Sequence, residues 1–145
     1  VFCCVFKCWC MEHDVAKEST FSHDRYVAQE AITVLKKARD TSTLLRVVKE
    51  SKMGSSQLSA IKVLGEIGDK ETARLLLELL KHNNISPDAI FGGTERIKDL
   101  EMLKRELVDA LSRICQTPSP KELSVDAISS FIRDCNAKLK DVKNE

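Results

Sequence analysis

Ala31-Ile32-Thr33-Val34-Leu35-Lys36-Lys37-Ala38-Arg39-Asp40 and Ala60-Ile61-Lys62-Val63-Leu64-Gly65-Glu66-Ile67-Gly68-Asp69 are two copies of one pattern, set 29 positions apart. Ala31 and Ile32 align with Ala60 and Ile61, Leu35 with Leu64, Ala38 with Ile67, and Asp40 with Asp69. A fixed-period echo of this kind is the signature of a stacked repeat, in which each unit leaves an apolar face for its neighbour to cover. Repeats build surfaces for partners, and the partner is not written in the repeat.

Working outward from the first copy, Val27, Ala28, Ala31, Ile32, Leu35 and Ala38 recur at spacings of three and four. This spacing predicts a helix from about Asp24 to Arg39, with Asp24 or Ser22 as its cap. Asp40-Thr41-Ser42 breaks that helix and offers new caps. A second helix then carries Leu44, Leu45, Val47 and Val48 and ends near Ser51, with Gly54 suited to its C-terminal cap. In the second copy, Ser55 or Ser56 is expected to cap a helix with the face Leu58, Ile61, Leu64 and Ile67, stopped by Gly68. Asp69 caps the next helix, which carries Ala73, Leu75, Leu76, Leu77, Leu79 and Leu80 and ends near His82.

Asn83–Thr94 then stretches the period. Ser86-Pro87 is a helix-start signal and Gly92-Gly93 a stop. A third copy follows, with Leu107-Val108, Leu111 and Ile114 matching Ala60-Ile61, Leu64 and Ile67 at an offset of 47. Its first helix is expected from about Thr94 to Gln116. Thr117-Pro118-Ser119-Pro120 makes the turn, and the last helix carries Leu123, Ala127, Ile128, Phe131, Ile132, Cys135 and Leu139.

The expected fold is therefore all-α. It is a short α-α superhelix, an α-solenoid of about three stacked antiparallel helix pairs (24–51, 55–82 and 95–140). Residues 24–145 form the repeat domain, and residues 1–23 form an apolar cysteine-rich segment and a polar linker.

The run Ser59-Ala60-Ile61-Lys62-Val63-Leu64-Gly65-Glu66-Ile67-Gly68-Asp69-Lys70-Glu71-Thr72-Ala73-Arg74-Leu75-Leu76 resembles the HEAT-repeat consensus. It has an alanine-rich first helix, a tight Gly-Asp turn and a leucine-rich second helix. The first copy has Arg39-Asp40 at that turn and the third has Gln116-Thr117-Pro118. The resemblance implies a solenoid that binds proteins, and in some members nucleic acid, along a concave second-helix face, with no enzymatic activity.

Composition narrows the function classes. The 145 residues hold 23 basic and 22 acidic side chains, a net charge of +1, and 5% aromatics. A nucleic-acid footprint needs a basic excess or stripe, and base stacking needs aromatics, so nucleic acid is not an expected partner. No run of about 18 apolar residues exists to form a membrane span. There is no glycine-rich phosphate loop and no paired-histidine helix motif, so neither an enzyme nor a cofactor is expected. The expected function is a non-catalytic protein-protein interaction or scaffold module. The alternatives are a HEAT-like nucleic-acid binder and a bilin-lyase-like HEAT protein acting with a partner subunit.

The candidate partner-binding residues are Arg46, Lys49, Arg74, Leu75, Glu78, Leu79 and Lys81 on the second helices, and Phe91 in the insertion. Leu75 and Leu79 stand where the first copy has Arg46 and Glu50. They are either an exposed strip for a partner or the second buried face of a middle helix. Arg46 and Glu50 mark the first pair as the polar end of the stack. Phe91 either meets a partner or tucks under its own loop.

Cys3, Cys4, Cys8 and Cys10, with His13 nearby, allow three readings. The simplest is an apolar segment that covers the open edge of the first pair through Phe2, Val5, Phe6 and Trp9. Clustered cysteines beside apolar residues also suit lipid modification and membrane association. A metal site is the weakest reading, because its spacing lacks the two separated ligand pairs usual for zinc. Cys115 and Cys135 lie on apolar stripes and read as buried thiols. The expected location is cytoplasmic, or at a membrane through a lipidated or apolar N-terminus. Val1 in place of Met leaves a fragment and a processed form both open.

Overall fold

The computed structural model describes residues 12–51, 53–85 and 97–143, with side chains described for 12–51, 53–82 and 101–140. Every regular element among the described residues is an α-helix. In chain order they are α1 (His13–Ser19), α2 (Arg25–Ala38), α3 (Thr41–Glu50), α4 (Gly54–Ile67), α5 (Lys70–Ile85), α6 (Ile97–Cys115) and α7 (Val125–Lys143). No helix among the described residues is long and apolar enough to cross a membrane.

The echo has its physical counterpart in the core. Ala31, Ile32 and Leu35 are buried on α2, Ala60, Ile61 and Leu64 on α4, and Leu107, Val108 and Leu111 on α6. These three helices touch in series, α2 on α4 and α4 on α6, so one stripe per helix is buried between successive neighbours. Surface ion pairs follow the same order, Lys36 with Glu66 at 2.6 Å and Lys62 with half-buried Glu106 at 3.8 Å. Pairs this exposed contribute about 0.2–1 kcal/mol each, so the apolar stripes carry the stack. The α4–α6 contact is the most extensive among the described helices. A Cβ added to Gly65 would lie 3.0 Å from both Cα and Cβ of Ala110, so this crossing requires small residues on both sides.

Helix starts follow local chemistry. Asp24 accepts from the Tyr26 and Val27 amides at the head of α2. Asp40 accepts from the Thr43 amide at 3.1 Å and the Thr43 hydroxyl at 2.7 Å. Asp69 accepts from the Thr72 amide and hydroxyl, each at 3.0 Å. The 29-residue repeat thus extends to the cap and its partner threonine, each satisfying an orphan donor of the first turn. Ser124 takes this part for α7, accepting from the Ala127 amide at 3.1 Å.

The structure differs from the sequence reading in four places. The polar approach segment carries α1, which packs on α2 and buries Ala16 and Thr20 completely. Gly54 does not end α3. It opens α4, while Ser51 closes α3 in extended backbone. Neither Ser55 nor Ser56 caps α4: Met53 is the N-cap residue and makes no side-chain cap bond. Ser56 is instead fully buried with its hydroxyl unpartnered, and buried Gln57 ties the helix to its predecessor by donating to the Val48 carbonyl at 3.0 Å. Ala38, placed by its spacing on the buried face of α2, is exposed in the last turn of that helix.

Candidate interaction groove

Helix α5 packs against both α6 and α7. With neighbours on two sides it buries Ala73, Leu76, Leu77, Leu79 and Leu80. This separates the two leucines read as a pair. Leu79 is 2% exposed and belongs to the core, which corrects its assignment as a partner contact, whereas Leu75 is 38% exposed. The two residues are one helical turn apart, and a wide buried face takes in the second but not the first.

Leu75 lines a groove of about 850 Å3 between α5 and α7. From α5 come Arg74, Leu75, Leu77, Glu78 and Lys81. From α7 come Ser129, Ile132, Arg133, Asn136, Leu139 and Lys140. Leu77 and Leu139 are almost fully buried and Ile132 is half-buried, so the floor is apolar and continuous with the core. The charged heads stand above it on exposed or half-exposed stems. Arg74 reaches Glu71 one turn back at 3.0 Å, and Arg133 donates to the Ser130 hydroxyl at 3.2 Å. Of the residues singled out from sequence, the fold brings Arg74, Leu75, Glu78 and Lys81 to this one groove. The α7 wall was missed, although its apolar stripe was read, because nothing in a one-dimensional pattern says that Ile132 faces Leu75.

The other candidates lie elsewhere. The Arg46 guanidinium sits over the Phe21 ring, 5.4 Å from its centroid, and its Nε donates to Glu50 at 3.1 Å. It therefore covers the chain that follows α1 and is not a groove residue. Lys49 is exposed on α3, away from the groove. Phe91 lies outside the described residues, as do Cys3, Cys4, Cys8 and Cys10. His13 is described, and its Nε2 lies 2.7 Å from Oδ2 of Asp40. Among the described residues no three metal-ligating side chains stand together.

A second depression, of about 680 Å3, is lined by Glu101, Met102, Lys104, Arg105, Glu106 and Leu123. Its Arg105 donates to the carbonyls of Pro120 at 2.7 Å and Lys121 at 2.6 Å, clamping the α6–α7 connection onto α6.

The perturbed ionisable groups have structural causes. Burial raises the Asp40 carboxyl, but the Thr43 hydroxyl and amide and His13 together outweigh it and hold the value below the ordinary range. Asp69 is held down by the Thr72 amide and hydroxyl, and Glu66 by Lys36. Cys115 and Cys135 are free, buried thiols that hydrogen-bond to one another across α6 and α7. That bond, with burial, pushes the Cys135 thiol up, while it lowers Cys115. The chain matches no protein-family model, no curated protein and no solved structure.

Proposed function

We propose that this chain is a non-catalytic protein-binding module, an α-solenoid of HEAT-repeat type whose recognition surface is the groove between α5 and α7. One observation carries the reading: an apolar floor open to solvent and rimmed by long charged side chains, on two second helices in direct contact. A helix or strand of a partner laid there would bury Leu75 and the exposed part of Ile132, and each apolar side chain so covered contributes about 1.5–3 kcal/mol. The repeat echo supports the solenoid. Helices α2, α4 and α6, which bury equivalent residues, touch in series, and α3 and α5 pack on the first helix of the following pair.

The test is affinity capture with the wild-type chain and with Leu75→Asp/Arg133→Glu, both checked for folding by circular dichroism. The folded double variant is expected to lose the partners that the wild type retains. If it keeps every one of them, the groove is not the recognition surface.

A further inference from the structure

We propose that the groove receives an acidic amphipathic helix of a protein partner. This rests on the groove being the recognition surface and adds the chemistry of its occupant. The chain as a whole is nearly balanced, with 23 basic and 22 acidic residues. The groove is not: among the described residues lining it, Arg74, Lys81, Arg133 and Lys140 face one carboxylate, Glu78. Glu71 engages Arg74 from outside the lining, and the other three cations have no carboxylate partner among the ion pairs of the described residues.

The cations also have a spacing. Arg74 and Lys81 are seven residues apart on one wall, and Arg133 and Lys140 seven apart on the other. Seven residues are two helical turns, about 10.5 Å. Each wall therefore presents two positive heads at a separation that carboxylates seven apart on a ligand helix reproduce, while apolar residues between them reach the floor at Leu75 and Ile132. Complementarity of this kind sets orientation and rejects wrong partners, and it adds to an affinity that the apolar floor supplies. It also selects against the chain's own first ten residues as the occupant: they are apolar enough, but their only charged side chain is Lys7.

The test uses the full chain and fluorescence anisotropy. The probe is a labelled helical peptide of about 16 residues, long enough to span both cation pairs. It carries leucines on one face and glutamates on the flanks. Its control has glutamine in place of every glutamate. The acidic peptide is expected to bind, with about tenfold weaker binding for the glutamine control and for Arg133→Glu/Lys140→Glu. Its affinity should also fall as salt is raised from about 0.05 to 0.5 M. Leu75→Asn should weaken both peptides.

Equal binding of the two peptides, with both still weakened by Leu75→Asn, overturns the acidic occupant and leaves the groove as the recognition surface. Binding of the acidic peptide that no groove substitution alters overturns both. Absence of binding by either peptide overturns the acidic occupant alone, and the capture experiment then judges the groove. Displacement of the acidic peptide by a single-stranded oligonucleotide at matched charge overturns it in favour of a polyanion site.

Discussion

The turns of the first two helix pairs and the connection of the third solve one problem in two ways. At Arg39-Asp40 and Gly68-Asp69 the chain reverses within two residues, and an aspartate with a threonine three positions on starts the next helix. Between α6 and α7 the connection runs from Gln116 to Ser124 without an aspartate cap, and Arg105, 15 and 16 residues away, holds the Pro120 and Lys121 carbonyls. The first solution is local and repeats with the sequence. The second is long-range and leaves no trace in the repeat. Even the two short turns differ. Arg39 ends α2 in left-handed backbone at φ 53°, with the Asp40 amide reaching back to the Leu35 carbonyl. Gly68 ends α4 in extended backbone at φ −68° and ψ 149°. The glycine is not there for its conformational freedom, which the arginine position would use better. It is there because a Cβ would run into the Leu64 carbonyl oxygen and lie 3.0 Å from both Ile114 and Thr72.

Substitutions at four positions test this contrast. The largest effect is expected at Gly68→Ala, which must displace backbone and should cost about 2 kcal/mol in urea unfolding. Full stability in that variant would mean the turn has slack. Next is Arg105→Ala, which removes two charge-assisted bonds and should cost about 1–2 kcal/mol, with Arg105→Lys restoring only part because an ammonium cannot fork across two carbonyls. If Arg105→Ala is silent, the third connection is held by something other than the clamp.

Asp69→Ala should cost about 1 kcal/mol, the ordinary worth of an N-cap. Asp40 and Asp69 also make stability depend on acid. Both have native values below the ordinary 3.8, so the unfolded chain binds their protons first. Their contribution is complete above about pH 5 and is lost as pH falls through the native values. Urea midpoints measured down the acid limb should therefore fall less in Asp69→Asn than in the wild type. The smallest effect has the opposite sign. Arg39→Gly relieves a left-handed non-glycine residue and should raise stability by about 0.5–1 kcal/mol, read as a higher thermal midpoint, although glycine gives back some of that through the unfolded chain.

Much of the fold was legible because its signals are short-range. The periodic stripes named the central buried residues of α2, α4 and α6, although Ala38 is exposed and Val27, Leu58, Ile67 and Ile114 are half-buried, and Asp24, Asp40 and Asp69 named three helix starts. The turn at 51–54 was misread because Gly54 looks like a terminator, and only the backbone shows that Ser51 had already closed the helix. Helix α1 was passed over because seven residues with few apolar positions give too little periodicity. The groove was half legible. Its α5 wall emerged from the difference between Leu75 and Arg46 in the aligned copies, but that comparison could not separate Leu75 from Leu79.

The sequence by itself determined where α2, α3 and α5 start, the centre of the stripe that each repeat helix buries and that the stripes repeat. These properties rest on residues three or four positions apart, whose geometry the helix fixes. Only the tertiary structure decided which helices meet. It set Arg46 on Phe21, Arg105 on the distant connection and the Cys115 thiol against Cys135. It also brought Arg133 and Lys140 opposite Arg74 and Lys81. Those contacts join residues from 15 to about 60 positions apart, where pairing is settled by how whole apolar faces pack and not by any local preference.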